Sequence, residues 1–491
     1  MTDTKTNEDD AQAPACTLVI FGAGGDLTHR LLMPALYNLA SIGRLDPGFQ
    51  VIGIDRADTT TEAWANDLSD TMQSFTKDHT AEFHPDHIDP KAWGFVRERL
   101  TYRRGDFTDD SLFRDLAGTL DGNALFYLAV PAKFFGPLVE SLGRAGLLSE
   151  NDRRFRRVLI EKPFGHDLPS AEALNETCLA AANEAQIFRI DHFMGKEAVQ
   201  NLLPFRFCAP IWERVWHREA IDYVEITAAE TVGVEARGAF YEQTGALRDM
   251  VPNHMFTMLS MLAMEPPDRS DAEAVRHAKS RLLAAIPPIR PEDCVRGQYA
   301  GGSVNGQPAR AYRAEPGVAA DSETETYVAL KLGIESWRWQ GVPFYLRTGK
   351  HLGARRTELV VHFKPPALAL LPPAPTRQLR LEVDPEPGGV LEIAQKRPGL
   401  GLRLMPGEMQ FSLDTPGPHA SRDGYEGIFH GAMCGDVLLF QRADAIEAGW
   451  GAIQTLLHAP PPLSVYASGS DGPDAAAALI ARDGHAWRGL G

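Results

Sequence analysis

Thr17-Leu-Val-Ile-Phe-Gly22-Ala23-Gly24-Gly25-Asp26-Leu27 is an apolar run that ends in a glycine-rich turn and leads into a helix-like stretch. Glycines at the end of such a strand let the backbone approach a pyrophosphate. The helix that follows offers N–H donors and the positive end of its dipole. The turn departs from Gly-x-Gly-x-x-Gly at its third glycine, where Leu27 stands. On its own it can also be read as a plain tight strand-to-helix turn. The next apolar run narrows the choice. Val51-Ile-Gly-Ile-Asp55-Arg56 places an acid and a base where a dinucleotide's adenosine ribose belongs, so together the two segments favour a nicotinamide coenzyme.

Working outward, further apolar runs at Leu125 to Val130, Val158 to Ile160 and Ile187 to Ile190 alternate with helix-like stretches. That alternation predicts βαβ units and a parallel, doubly wound, Rossmann-like sheet over residues 16–192. Beyond Phe193 the pattern changes. Val224 to Thr227, Thr326 to Leu332, Glu358 to Phe363, Leu379 to Val383 and Val390 to Ala394 read as strands with few long helices between them. Joints such as Pro365 to Pro375 separate some of these runs. Residues 193–491 are therefore expected to form an α+β domain around a large antiparallel sheet, with a helix-like segment from Thr244 to Met264. At 491 residues the chain is too long for one core, so two domains are the natural division.

Met1 to Ala15 is polar and acidic, reads as a disordered tail, and has no secretory-signal pattern. No apolar run is long enough to span a bilayer. A formal net charge of −16 argues against a nucleic-acid surface, although a local basic pocket can still hold an anionic substrate. The five cysteines form no C-x-x-C pair and have no metal-site spacing, which fits a reducing, cytoplasmic location and no metal centre.

The richest polar block is Arg189-Ile-Asp-His-Phe-Met-Gly-Lys-Glu, where Asp191, His192, Lys196 and Glu197 follow an apolar run. Such a block can hold an anion and orient a base, or it can be a solvated loop with an ordinary ion pair. Glu161-Lys162-Pro163 ends another run and is either a rigid turn, of the kind a cis prolyl bond makes, that aims Lys162 into a cleft, or a surface Lys before a loop proline. His254 follows Arg248-Asp249-Met-Val-Pro252-Asn253 at the start of an apolar helical run. A lone His there is usually a satisfied core residue, and a functional one needs a carboxylate partner such as Asp191 or Asp249. Arg347-Thr-Gly-Lys350, with Arg355 and Arg356, is a basic cluster that is either a solvated turn or a source of cations for an anionic substrate.

In this order, the pieces resemble the glucose-6-phosphate dehydrogenases over about Thr17 to Trp487. The resemblance rests on the strand-GxxGDL turn, Glu161-Lys-Pro, Arg189 to Glu197, Arg248-Asp to His254 and Ala263-Met-Glu-Pro-Pro267. It continues through Ser322-Glu-Thr-Glu-Thr326, Trp337 to Lys350 and Gly435-Asp436. It implies oxidation of glucose 6-phosphate at C1 to 6-phosphogluconolactone, with hydride transfer to NADP (NAD being possible), in the pentose phosphate pathway. It further implies a homodimer or homotetramer paired through the large sheet. By the same resemblance His254 is the base and Asp191 its orienting carboxylate. His192 and Lys196 are phosphate ligands, Glu230 and Asp249 bind sugar hydroxyls, and Lys350 and Arg355 are cations near the substrate. Lys162 lies between nicotinamide and sugar. Gly22, Ala23, Gly24, Gly25, Asp26, Leu27, Asp55, Arg56 and Asp106 hold the coenzyme.

Three positions depart from the family pattern. Phe193 stands where many members have Tyr, so a phenolic hydrogen bond to the phosphate is lost. Pro252 stands where Gln is usual and is expected to kink or restart the helix. Asp55 replaces a small residue beside Arg56, which bears on coenzyme choice. Two other readings of the chain are a related sugar dehydrogenase with another substrate and a non-catalytic relative acting as an assembly partner. The first does not require the Asp-His-x-x-Gly-Lys block with its later basic cluster. The second predicts loss of His254 or Asp191, and both are present.

Overall fold

A computed structural model describes residues 12–78, 83–151, 153–366, 377–413 and 424–490. In chain order the first six strands are β1 (Thr17–Phe21), β2 (Gln50–Asp55), β3 (Leu100–Arg104), β4 (Ala124–Leu128), β5 (Arg156–Ile160) and β6 (Ile187–Ile190). Next come β7 (Ile221–Ala229), β8 (Cys294–Ala300), β9 (Gly302–Val304), β10 (Gln307–Ala309), β11 (Tyr327–Leu332) and β12 (Phe344–Gly349). The last are β13 (Arg356–Phe363), β14 (Gln378–Asp384), β15 (Gly388–Lys396), β16 (Leu404–Ser412), β17 (Phe440–Gln441) and β18 (Leu463–Ala467).

The first sheet runs β17-β6-β5-β4-β1-β2-β3, and all its pairs are parallel except β17 with β6. The strand order reverses at β1, between β4 and β2. In such sheets ligands bind at the carboxyl ends of the strands beside that switch point. The central strands are apolar without alternation because helices cover both faces; every residue of β4 is buried. Gly22 ends β1 with φ +91°, and a Cβ there would lie 2.2 Å from the Ala129 carbonyl oxygen. Only glycine fits that turn.

The second sheet runs β16-β15-β14-β13-β7-β12-β11-β8-β18. It is mostly antiparallel, as the later strand pattern predicts, but β7 with β12 and β8 with β18 pair parallel. Helices between these strands supply the crossovers that parallel neighbours require. The predicted helix from Thr244 to Met264 is interrupted twice: the helix Gly238–Met250 breaks at Gly245 (φ 60°, ψ 175°), a π-helical turn Val251–Met255 follows, and a helix Phe256–Ala263 completes it. Pro252 has no N–H to give the α-helical ladder, and the register shift falls where it stands.

The tail expected over 1–15 lies outside the described residues as far as residue 11. Gln12 to Ala15 do not behave as a tail. Ala13 is buried, its N–H donates to the Arg44 carbonyl at 2.9 Å, and Gln12 Nε2 donates to the Leu45 carbonyl at 2.8 Å. Residues 367–376 of the proline-rich joint also lie outside the described residues.

Candidate active site

The chemistry-bearing side chains gather where the carboxyl ends of β5 and β6 meet the π-helical turn. Asp191, just past β6, caps the short helical turn His192–Gly195 by accepting the Phe193 N–H at 3.0 Å. That turn presses so closely on the chain at Gly424 that a Cβ on Gly195 would fall 2.4 Å from the Gly424 carbonyl oxygen. The π-turn brings His254 Nδ1 to 2.7 Å from Asp191 Oδ1, both residues being buried. Asp191 Oδ2 accepts from Thr257 Oγ1 at 2.5 Å, and Thr257 Oγ1 accepts from Gln441 Nε2 at 2.6 Å. Both carboxylate oxygens are thus engaged, which fixes the plane that faces the imidazole.

Lys162 projects from the end of β5. Its peptide bond to Pro163 is cis. The ammonium lies 2.7 Å from His254 Nε2 and donates to Asp249 Oδ1 at 3.1 Å. An ammonium has no acceptor, so at that distance Nε2 carries a lone pair and Nδ1 carries the hydrogen donated to Asp191. His254 is therefore a neutral imidazole in a fixed tautomer. Burial and the Lys162 charge lower its pKa, against the opposing pull of Asp191. Burial alone would raise the pKa of Asp191, yet His254, His192 and the Thr257 hydrogen bond carry it well below the usual carboxylate range. Asp249 is likewise held at about 2: burial would raise it, and the charge and hydrogen bond of Lys162 overcome that. His192 is shifted well below its ordinary value by burial and by its cationic neighbours.

Phe193 takes a place that the sequence does not reveal. Its ring stacks on the His254 imidazole, with centroids 4.2 Å apart and planes 18° apart, and Lys196 Nζ lies 4.8 Å from its centroid. His192 meets His254 edge-on at 4.6 Å. His192, Lys196, Lys162, Asp249, Asp191 and His254 thus form one cluster. Lys350 and Glu230 form a second pair, with Lys350 Nζ 2.6 Å from Glu230 Oε2. Their backbones interlock across the end of β12, since the Glu230 N–H donates to the Gly349 carbonyl and the Leu352 N–H to the Glu230 carbonyl. The Lys350 charge acts on Asp249, and the buried Tyr241 ring lies 5.4 Å from Lys350 Nζ. Arg355 is placed differently: its guanidinium is exposed and forms a two-pronged ion pair with Asp384 at 2.7 and 2.9 Å.

The coenzyme-turn residues lie at the carboxyl ends of β1, β2 and β3. Gly24 is exposed, and its N–H donates to Asp55 Oδ2 at 2.9 Å; Asp55 Oδ1 accepts the Arg56 N–H at 2.7 Å. Gly25 closes the turn onto the Gly22 carbonyl. Asp26 and Leu27 begin the following helix, whose open amino end suits a pyrophosphate. Asp106, past β3, accepts from Thr108 N and Oγ1 at 2.9 and 2.8 Å; these bonds lower its pKa, with a smaller contribution from Arg56. An exposed arginine beside an open glycine turn fits a phosphorylated dinucleotide. Among the described residues, Asp191, His192 and His254 are close enough to share an ion. The two Asp191 oxygens already accept from Phe193, His254 and Thr257.

Such a sheet, with a buried imidazole and carboxylate and a half-buried lysine gathered at the carboxyl ends of its strands, defines a dinucleotide-dependent dehydrogenase. Residues 19–201 match the model of the glucose-6-phosphate dehydrogenase NAD binding domain, and residues 203–488 that of the glucose-6-phosphate dehydrogenase C-terminal domain. The chain is 40% identical to glucose-6-phosphate 1-dehydrogenase of Aggregatibacter actinomycetemcomitans, over 97% of its own length and 98% of that protein. It is 39% identical to the Mycolicibacterium smegmatis enzyme of that name, over 98% and 99%. It superposes on the crystal structure of the Mycobacterium avium enzyme with TM-score 0.85 at 37% identity, covering 97% and 99%. A glucose-6-phosphate dehydrogenase in complex with glucose-6-phosphate superposes with TM-score 0.86 at 29% identity, covering 97% of this chain and 99% of that one.

The chain belongs to the glucose-6-phosphate dehydrogenase family. It oxidises glucose 6-phosphate at C1 with NADP as hydride acceptor. Thr257 could have been found in the sequence, since it lies three residues after His254 at helical spacing. Gln441 and the stacking role of Phe193 carry no comparable signal.

Proposed function

We propose that His254 is the general base of this oxidation and that Asp191 orients it. The observation that supports this is the tautomer imposed by Lys162 and Asp191 on either side of the imidazole. The Nε2 lone pair accepts from Lys162 in this structure, and that ammonium gives way when the C1 hydroxyl enters, while Asp191 stabilises the imidazolium that forms when a proton arrives. The C1 hydroxyl proton passes to Nε2, the C1–O bond becomes the lactone carbonyl, and the hydride departs from C1. Bound NADP supplies the acceptor for that hydride at C4 of its nicotinamide. Lys162 sits between nicotinamide and sugar, and its charge discourages protonation of His254 before substrate enters. His192 and Lys196 take the phosphate. Asp249 and Glu230 take sugar hydroxyls, with Lys350 as a nearby cation; Arg355, committed to Asp384, is not part of this site. Residues 16–192 hold the coenzyme and residues 193–491 the sugar and the subunit contact. A steady-state assay with glucose 6-phosphate and glucose, against NADP and NAD separately, tests the whole reading.

NADP is the preferred coenzyme in this proposal, with measurable use of NAD. Asp55 is drawn back onto the Gly24 and Arg56 amides, and the Arg56 side chain stands exposed beside it. A guanidinium there suits a 2′-phosphate, whereas a carboxylate turned outward would favour a free 2′-hydroxyl. Arg56→Ala is expected to raise the KM for NADP several-fold and leave NAD kinetics nearly unchanged; Asp55→Ala shifts preference further toward NADP. Unaltered NADP kinetics in Arg56→Ala would reverse the ranking of the two residues.

The protein works in the cytoplasm, consistent with five free cysteines and no helix among the described residues long and apolar enough to cross a membrane. Self-association uses the nine-stranded sheet. Its β16 edge exposes Met405, Met409 and Phe411, an apolar surface unusual for an uncovered strand. Sedimentation of the full chain should give a dimer or tetramer, and a monomer at micromolar concentration would exclude this pairing.

A further inference from the structure

Lys279 lies on the helix Ala272–Ala284 and is only 2% exposed. An ammonium taken out of water needs an anion or acceptors in return. Among the described residues no carboxylate forms an ion pair with it, and its contact at hydrogen-bonding distance is Met194 Sδ at 3.7 Å. Met194 belongs to the turn His192–Gly195, which Asp191 caps. Burial lowers the Lys279 pKa to about 8; Asp191 is the charge that opposes this and favours the protonated lysine, and Arg276 adds to the lowering. Arg276 is itself held by Glu273 at 2.9 Å and Glu184 at 3.3 Å. On the neighbouring helix Ala443–His458, Asp444 pairs with Arg442 and Glu447 accepts from Asn175. Those carboxylates already have partners. Two buried opposite charges, Lys279 and Asp191, are left to balance each other.

We propose that Lys279 is a positioning residue of the His254–Asp191 pair: a buried cation that offsets the Asp191 carboxylate and, through Met194, seats the turn from which Asp191 and His192 project. The proposal rests on His254 acting as the base. Asp191 attracts a proton onto His254, and a cation near Asp191 weakens that attraction, so the imidazole stays free to accept the proton of the sugar. The other groups facing His254 are Lys162, Asp249 and His192, and none of them shares the Lys279 helix. Without the Lys279 charge, His254 should hold its own proton to higher pH.

Two measurements on the full-length protein test this. In the first, thermal unfolding is recorded for Lys279→Met, Asp191→Asn and the double variant. Each single change leaves one buried charge without its counterpart, so the double variant should recover much of the Tm lost in the singles. Additive losses, or a double variant that does not fold when a single one does, overturn the proposal. In the second, kcat/KM for glucose 6-phosphate is followed against pH. In Lys279→Met the acid limb should move up, lowering kcat/KM near pH 6 by about 3–10-fold, with the coenzyme KM unchanged. A folded Lys279→Met with the wild-type acid limb overturns it. If Lys279→Met does not fold alone, the double variant decides. Normal turnover in His254→Asn would instead remove the base assignment, while the unfolding cycle would still report on Lys279 and Asp191.

Discussion

His254→Asn should lower kcat by about 10²–10⁴-fold while the KM for glucose 6-phosphate changes little, because the variant removes a proton acceptor used in the transition state. Asn gives up the ring that stacks on Phe193 but keeps an N–H near the Nδ1 position that can still donate to Asp191, so the fold should survive. Asp191→Asn should also lower kcat: an amide NH₂ facing Nδ1 favours the tautomer with its hydrogen on Nε2, where the lone pair is needed. The two losses should not add, since each disables the same unit.

The pH dependence has a definite sign. Burial and Lys162 lower the His254 pKa, so kcat/KM should fall only below the ordinary histidine value. Stability follows the same direction. His254 and His192 bind fewer protons when folded than unfolded near pH 6, so stability present above the unfolded histidine pKa is lost as pH falls. The depressed Asp249, held at about 2, and Asp191 extend that loss below about pH 4. Near-normal turnover in folded His254→Asn would falsify the base assignment.

The parallel sheet was legible because strands covered on both faces must be largely apolar, and the runs at β1, β2, β4, β5 and β6 are, Arg189 in β6 being buried against Glu184. β3 escaped that logic. It is an edge strand reading Leu-Thr-Tyr-Arg-Arg with only Leu100 and Tyr102 buried. β17, with two residues, is too short to carry any period. The parallel pairing of β7 with β12 is a matter of chain path rather than of residue pattern, so strand-like runs alone could not show it. The Pro252 break was legible because a missing N–H is a local fact. The site was legible only in halves. Asp191 and His254 are 63 residues apart, and the sequence names both as candidates without showing that they meet. The family resemblance supplied that pairing. Lys279 was hidden altogether: amid Arg276, His277 and Arg281 it reads as part of a solvated face, and the packing of that helix is what buries it.

Lys196→Ala should raise the KM for glucose 6-phosphate by about 10–100-fold, the effect of losing a charge-assisted hydrogen bond worth about 1.5–3 kcal/mol. Any residual activity on glucose should be far less affected, because an uncharged C6 hydroxyl offers the ammonium little. His192→Ala should act in the same direction. His192 is half-buried and its pKa is held well below the ordinary histidine value when no anion is present, so a phosphate dianion beside it would raise its pKa and draw a proton onto it, strengthening binding as pH falls toward 6. Phe193 bears on the same subsite. Its ring is committed to the His254 face and carries Lys196 at 4.8 Å, so it would support both the proposed base and the proposed anion site without a hydroxyl of its own. Phe193→Tyr should leave kcat nearly unchanged and lower KM if the ring edge reaches the phosphate. The decisive comparison is kcat/KM for glucose 6-phosphate divided by that for glucose. Lys196→Ala should collapse that ratio by the same factor that it raises KM, and an unchanged ratio would move the anion site away from the His192–Lys196 turn.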